Sequence, residues 1–163
     1  MKNSICISVK KLIILAALFL CPTFMFASIG IGAQGGWNFT NAEQCIDASL
    51  SLKFSKTPFT FTLETGVNEG YLSLGLATDY WHKNPTLTGM IRYYFGPGLT
   101  FSFSNLLSDA FEFYIGARFV TGLNVFLWTP LEVYLQSAFE LGFSTTYKFT
   151  WYIPLSLGTR VWF

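Results

Sequence analysis

The side chains that could carry out a reaction in this chain are few and far apart. His82 is the only histidine, and Asp79 lies three residues before it. The two could form part of a hydrolytic site only beside a nucleophile that the histidine activates. His82 also falls in a predicted turn between two strands, on the side of the fold where the chain termini lie. We therefore interpret it as a polar turn residue, and the sequence predicts no catalytic residue.

The glycines near the start of the chain match a nucleotide-binding pattern only in their spacing. Gly30, Gly32 and Gly35 fit G-x-G-x-x-G, but that motif needs a preceding strand and a helix that begins at it. Neither is predicted here, so we interpret these residues as glycines of a crowded first strand. Of three Cys residues, only Cys45 lies beyond the predicted signal peptide, which leaves no partner for a disulfide or a zinc cluster. We expect neither a metal nor another cofactor.

Hydrophobicity alternates with a period of two almost everywhere after residue 28, which is typical of half-apolar β-strands. Three turns contain a proline just after a small polar residue, at Pro58, Pro85 and Pro130, and proline marks the end of a strand because it cannot donate to the ladder. With an even number of strands, these three turns fall on the same side as both termini. The alternation predicts eight strands, at residues 29–37, 46–54, 59–67, 71–80, 87–103, 111–127, 131–143 and 151–163.

The two faces of these strands differ in a way that indicates a membrane. Only 12% of the chain is charged and 19% is aromatic, whereas a soluble domain has about 25% charged residues. The polar face is mostly Gly, Ser, Thr, Ala and Tyr, and the apolar face is large and nearly unbroken. An open sheet edge in lipid would leave backbone groups unpaired, so the strands should close into an all-β antiparallel up-and-down barrel. A soluble lipocalin-like binder is the alternative at the level of the fold. Aromatic residues near strand ends predict interface girdles: Trp37, Phe39, Trp81, Trp128, Trp151 and Phe163.

All charged residues within the predicted strands lie on the polar face, which would then line the lumen. Because eight strands enclose an interior that side chains just fill, and buried charges must be paired, we favour a lumen plugged by salt bridges. The alternative is a narrow path for solutes. The predicted lumen charge network consists of Asp47, Lys53, Glu64, Asp79, Arg92, Glu112, Arg118, Glu132, Glu140 and Arg160.

The first 27 residues have the features of a cleaved signal peptide. Lysines begin the segment, an apolar run follows at residues 12–20, and Ala27 ends a plausible cleavage site. Lipoprotein processing at Cys21 is a weaker alternative, because the residue before it is Leu20 rather than a small residue. Removal of this segment leaves seven Lys and Arg against nine Asp and Glu in residues 28–163. No basic patch indicates a nucleic-acid partner.

The end of the chain carries the motif on which a family resemblance depends. Ser156-x-Gly158-x-x-Val161-x-Phe163 is similar to the C-terminal insertion signal of outer-membrane proteins. With the eight-strand pattern, residues 28–163 resemble the small outer-membrane β-barrels of the OmpA, OmpX and OmpW types. The resemblance implies residence in the outer membrane of a diderm bacterium. It also implies contact with outer-membrane lipid, and with periplasmic chaperones and the barrel assembly machinery during biogenesis. The chain departs from the OmpW type in its short outer connections and from the OmpA type in having no domain after Phe163.

The leading functional interpretation is a non-enzymatic barrel with a structural or surface-interaction role and a largely plugged lumen. Two alternatives stay open. One is a small pore or an OmpW-like conduit for small or hydrophobic solutes, favoured by the Gly-rich, Tyr-containing polar face. The other is a membrane-embedded lipid-modifying enzyme, which is the weakest because no catalytic residues are evident.

Overall fold

The computed structural model describes residues 28–40, 45–68, 71–82, 84–104, 112–145 and 148–163. The predicted signal peptide and most of the outer connections lie outside these ranges. No helix long and apolar enough to cross a membrane occurs among the described residues. The strands within these ranges are β1 Ile29–Thr40, β2 Cys45–Phe54, β3 Phe59–Asn68, β4 Tyr71–Tyr80, β5 Thr86–Thr88, β6 Ile91–Ser104, β7 Glu112–Trp128, β8 Leu131–Ser144 and β9 Lys148–Trp162.

Eight long strands form a closed antiparallel barrel, which confirms the predicted fold class. Each long strand pairs with the next along the chain, β4 pairs with β6, and β9 pairs with β1. The ring closes through matched backbone hydrogen bonds, from Ile29 N to Phe163 O at 3.1 Å and from Phe163 N to Ile29 O at 2.9 Å. Every long strand therefore has a partner on both sides, as a sheet in lipid requires.

The short strand β5 is a correction to the predicted strand boundaries. The alternation predicts one continuous strand from Leu87 to Phe103, but the structure has a tight hairpin at its start. Thr88 pairs with Ile91 across a two-residue turn, and Gly89 there has φ of +53°, a conformation that glycine adopts without strain. Only β6 continues into the barrel wall, because β5 pairs with β6 alone.

The proline-containing turns lie together at one end of the barrel. Ser55 N donates to Ser28 O at 3.0 Å, and Trp162 N donates to Pro130 O at 3.0 Å. These bonds place the turns beside the start of β1 and the end of β9, so we call this the termini end and the opposite one the distal end. The alternation also gives the barrel its two surfaces. Large apolar side chains such as Leu50 and Phe119 are exposed outward, whereas polar side chains are buried in the lumen.

Candidate functional site in the barrel lumen

The ten residues of the predicted charge network divide by burial. Arg92 is exposed at the termini end, and Asp47 and Glu64 are half-buried. The remaining seven are each at most 9% exposed: Lys53, Asp79, Glu112, Arg118, Glu132, Glu140 and Arg160. The structure does not join all ten into one network. It brings most of them into two separate clusters, each built around an arginine.

The first cluster, the Arg118 cluster, lies towards the distal end. Arg118 Nη1 is 3.0 Å from Glu64 Oε1 and 3.1 Å from Glu140 Oε1, and its Nε is 3.0 Å from Asp79 Oδ1. Glu140 faces Arg118 directly across the β7–β8 pair, whereas Glu64 reaches it from β3 across the lumen. One guanidinium on β7 therefore links that strand to its neighbour β8 and to β3 and β4 elsewhere in the barrel.

The second cluster, the Arg160 cluster, lies towards the termini end and contains a single carboxylate. Arg160 Nη1 donates to Glu132 Oε2 at 2.9 Å, and Nη2 donates to Ser51 Oγ at 3.3 Å. Glu132 also accepts hydrogen bonds from Asn124 Nδ2 at 2.8 Å and Trp162 Nε1 at 2.8 Å. Each oxygen of this buried carboxylate thus has a donor, as a charge in a low-dielectric interior requires.

Three aromatic rings, Trp81, Tyr94 and Tyr134, fill the lumen beside Arg160, and we call them the aromatic layer. Trp81 and Tyr94 stack with centroids 3.5 Å apart and an interplanar angle of 8°. Lys53 Nζ lies 2.9 Å from the Trp81 ring centroid, and Arg160 Cζ lies 4.6 Å from that of Tyr134. Both cations are therefore held over ring faces, where the quadrupole attracts positive charge. The three rings are 0–4% exposed.

The tyrosines of the aromatic layer repeat one arrangement across three strands. Tyr134 lies over its cross-strand partner Gly158, and its hydroxyl donates to Gln34 Oε1 at 2.9 Å, one strand further on. Tyr94 lies over its partner Gly122 in the same way and donates to Gln136 Oε1 at 3.1 Å. A side chain on either glycine would occupy the space of the ring. Glycine at these positions leaves room for each tyrosine ring to extend over the neighbouring strand inside the lumen.

The described residues line a cavity in the lumen on each side of the aromatic layer. The cavity at the distal end has a volume of about 70 Å³ and is lined by acidic and polar side chains, including Asp47, Glu64 and Tyr114. The cavity at the termini end is larger, at about 340 Å³, and its lining includes Lys53 and Arg92. The lumen is thus more acidic at one end and more basic at the other.

The comparisons with known proteins agree with this architecture. No family model matches the sequence, and a search of curated proteins gives no match. Among solved structures, Neisserial surface protein A is similar with a TM-score of 0.60 and 16% identity, over 83% of this chain and 96% of that chain. The N-terminal β-barrel domain of Pseudomonas aeruginosa OprF gives a TM-score of 0.53 and 19% identity, over 82% of this chain and 96% of that chain. This chain has the fold of the small eight-stranded outer-membrane β-barrels.

The prediction that Trp81 belongs to an interface girdle is wrong for this small barrel. Trp81 is 4% exposed and lies inside the lumen. It has the same parity as Asp79, so the alternation of β4 continued by one residue beyond Tyr80 would have placed it on the polar face. Parity also puts Tyr94 and Tyr134 on that face. The sequence did not predict the aromatic layer, because its three rings are far apart along the chain and no local pattern indicates that they are in contact.

The remaining residues singled out in the sequence lie apart from the two clusters. His82 is exposed and packs near the rings of Tyr80 and Phe95, whereas Asp79 points into the lumen towards Arg118, so the two do not form a dyad. Gly30, Gly32 and Gly35 all lie within β1.

At the distal end, Glu112 accepts a hydrogen bond from Ser144. Arg92 lies at the termini end, with its guanidinium carbon 5.4 Å from the Phe126 ring centroid. In the C-terminal motif, Ser156 and Gly158 face the lumen, Val161 faces outward, and Phe163 is 75% exposed.

Proposed function

We propose that this protein is an outer-membrane barrel whose lumen is closed by its own side chains, with a structural or surface-interaction role. The observation that carries the proposal is the aromatic layer, in which three nearly inaccessible rings, two cations and their hydrogen-bond partners occupy the lumen between the two cavities. Eight strands leave an interior that side chains can fill completely. We expect a layer of this kind to leave no aqueous path through the lumen.

The surface role is supported by the fold and by its two ends. With eight strands, both termini lie on one side, which we assign to the periplasm, and the distal end then faces the exterior of a diderm bacterium. One structural neighbour is by its name a surface protein, Neisserial surface protein A. We propose that outer-membrane lipid covers the exposed apolar band. We also propose that periplasmic chaperones and the barrel assembly machinery recognise the chain, the latter through the motif that ends in the exposed Phe163. No enzymatic activity is part of this proposal.

Single-channel conductance in planar bilayers tests whether the lumen is closed. The purified barrel is first checked by its faster migration on unboiled gels, and current is then recorded for the wild type and Trp81→Ala. We expect no conductance steps from the wild type. Trp81→Ala removes a ring that stacks on Tyr94 and underlies Lys53, so it should open measurable steps.

Phe119→Ala is the matched control, because it removes an aromatic ring that is 52% exposed on the outer face. It should leave the current at the wild-type level. Steady conductance of the wild type would contradict the closed lumen. It would favour the second candidate, a conduit that joins the two cavities.

A further inference from the structure

The distal cavity holds more negative charge than its single arginine can balance. Asp47, Glu64 and Glu140 line the cavity, and Asp79 lies close to them in an ion pair with Arg118. Among the described side chains there, four carboxylates face one guanidinium, an excess of three negative charges when all are ionised. Unpaired charge in the interior of a barrel is costly, so a cation or protons must compensate for it.

Several oxygen atoms around this cavity are buried without a hydrogen-bond partner among the described residues. Tyr114 is the clearest case, since the residue is 4% exposed, lines the cavity, and its hydroxyl has no partner. Asn38 Oδ1 and Asp47 Oδ1 line the same cavity and are also unpartnered. Most buried polar groups in proteins are satisfied, so a group of unsatisfied oxygens indicates a missing partner. All three of these atoms can accept from water or bind a cation.

The geometry favours a cation that keeps part of its water shell. Within the described ranges, no group of three or more His, Cys, Asp or Glu side chains is placed so that it could hold a metal ion, so an ion here would have to be held through its water shell. The cavity volume of about 70 Å³ leaves room for several water molecules between the ion and the carboxylates. Hard divalent cations take oxygen ligands of this kind and readily retain water.

We propose that the distal cavity is a binding site for a hydrated divalent cation, Ca²⁺ or Mg²⁺, held by Asp47, Glu64, Glu140 and Tyr114. This site lies beyond the proposed closure of the lumen and does not depend on it, because the aromatic layer and the cavity share no residue. Conductance tests the closure alone, and cation binding tests this site alone.

Terbium luminescence tests the site, because Tb³⁺ replaces divalent cations and nearby tyrosines such as Tyr114 and Tyr152 sensitise its emission. The full barrel in nonionic detergent is titrated with Tb³⁺ while the aromatic residues are excited. We expect saturable emission that excess Ca²⁺ or Mg²⁺ displaces and that K⁺ at equal ionic strength does not. Emission lifetimes in H₂O and D₂O should show several waters on the bound ion. The absence of saturable emission, or an ion stripped of water, would overturn the proposal.

Substitutions then locate the ion. Asp47→Asn keeps the shape of the side chain and removes one charge, so it should weaken Tb³⁺ binding by about tenfold or more. Tyr114→Phe keeps the ring and removes only the hydroxyl, so we expect a smaller loss of affinity. Glu112→Gln is the matched control, since it removes a carboxylate at the same end that does not line the cavity. Equal affinities for Asp47→Asn and Glu112→Gln would contradict the site.

One further measurement needs no variant. A ligand that binds only the folded state stabilises it, so Ca²⁺ or Mg²⁺ should raise the temperature at which the wild-type barrel loses its fast gel migration. The measurement is made against K⁺ at equal ionic strength. No rise in that temperature would count against the proposal.

Discussion

The two arginine clusters of the lumen show two different ways to bury a positive charge. Arg118 is neutralised by carboxylates alone, with three acids at 3.0–3.1 Å. Arg160 has one carboxylate at 2.9 Å and is otherwise surrounded by the Tyr134 ring, the Trp81 ring and the hydroxyl of Ser51. The first cluster has more acid than base and borders a cavity. The second has one acid for its arginine, and neutral rings and a hydroxyl make the arginine's other contacts.

This difference gives different roles to the two halves of the lumen, the distal half around Arg118 and the termini half around Arg160. Aromatic rings and a neutral hydroxyl acceptor fill volume and contact the Arg160 cation without adding further charge, which is consistent with the closure proposed for this part of the lumen. A cluster made of charges depends on every member, because the loss of one leaves the others unpaired in a medium of low polarity. Polar networks of this type are the parts of a protein interior where single substitutions have the largest effects.

The largest effect should come from removal of the guanidinium in the Arg118 cluster. Arg118→Met keeps most of the side-chain volume but leaves Glu64, Asp79 and Glu140 without their shared partner. We expect the free energy of unfolding to fall by about 3–5 kcal/mol. Urea titration in detergent, followed by the fast band on unboiled gels, measures this. Arg92→Met, at an exposed position, should change stability by less than about 0.5 kcal/mol. Equal losses of stability for the two variants would mean that the buried carboxylates do not depend on Arg118.

A smaller effect is expected from the same substitution in the other half. Arg160→Met also removes a buried cation, but Glu132 keeps its hydrogen bonds from Asn124 and Trp162. The loss should therefore be about 2–3 kcal/mol in the same urea titration. A loss larger than that of Arg118→Met would mean that rings and neutral donors do not protect the remaining carboxylate.

The smallest of the three effects is expected from glycine-to-alanine substitutions, which test how tightly each half of the lumen is packed. Gly158→Ala would place a methyl group 2.5 Å from Tyr134 Cζ, whereas Gly75→Ala, beside the distal cavity, would place one 3.2 Å from Ser102 Cβ. Displacement of the Tyr134 ring should cost about 1 kcal/mol of unfolding free energy, and Gly75→Ala should cost less. The measurement is again urea unfolding. Similar losses at both positions would show that the two halves are equally tightly packed.

The strands and the face of each side chain could be predicted from the sequence because both depend on neighbours along the chain. Asp79, Arg118 and Arg160 are on the polar face by parity alone, and the structure buries all three. Which charges meet could not be predicted in this way. The register of the β7–β8 pair brings Arg118 next to Glu140, but Arg118 contacts Glu64 only because the closed barrel brings β3 and β7 within reach of each other.

The same limit applies to the aromatic layer. Tyr134 rests over Gly158 because β8 and β9 align these residues, and a shift by one position would separate them. The residue types of Tyr134 and Gly158 do not by themselves indicate that the two face each other. The acidic cavity likewise depends on residues from strands on opposite sides of the lumen, such as Asp47 on β2 and Tyr114 on β7.

The pairing of the first and last strands has a consequence for the order of events during biosynthesis. Ile31 lies opposite Val161, so the seam of the ring joins segments made at the start and at the end of translation of the barrel. Until β9 has been synthesised, β1 and β8 each present a row of free amide and carbonyl groups, which other chains can pair with. Every incomplete copy is therefore at risk of aggregation, and closure removes both free edges at once, when the final strand docks.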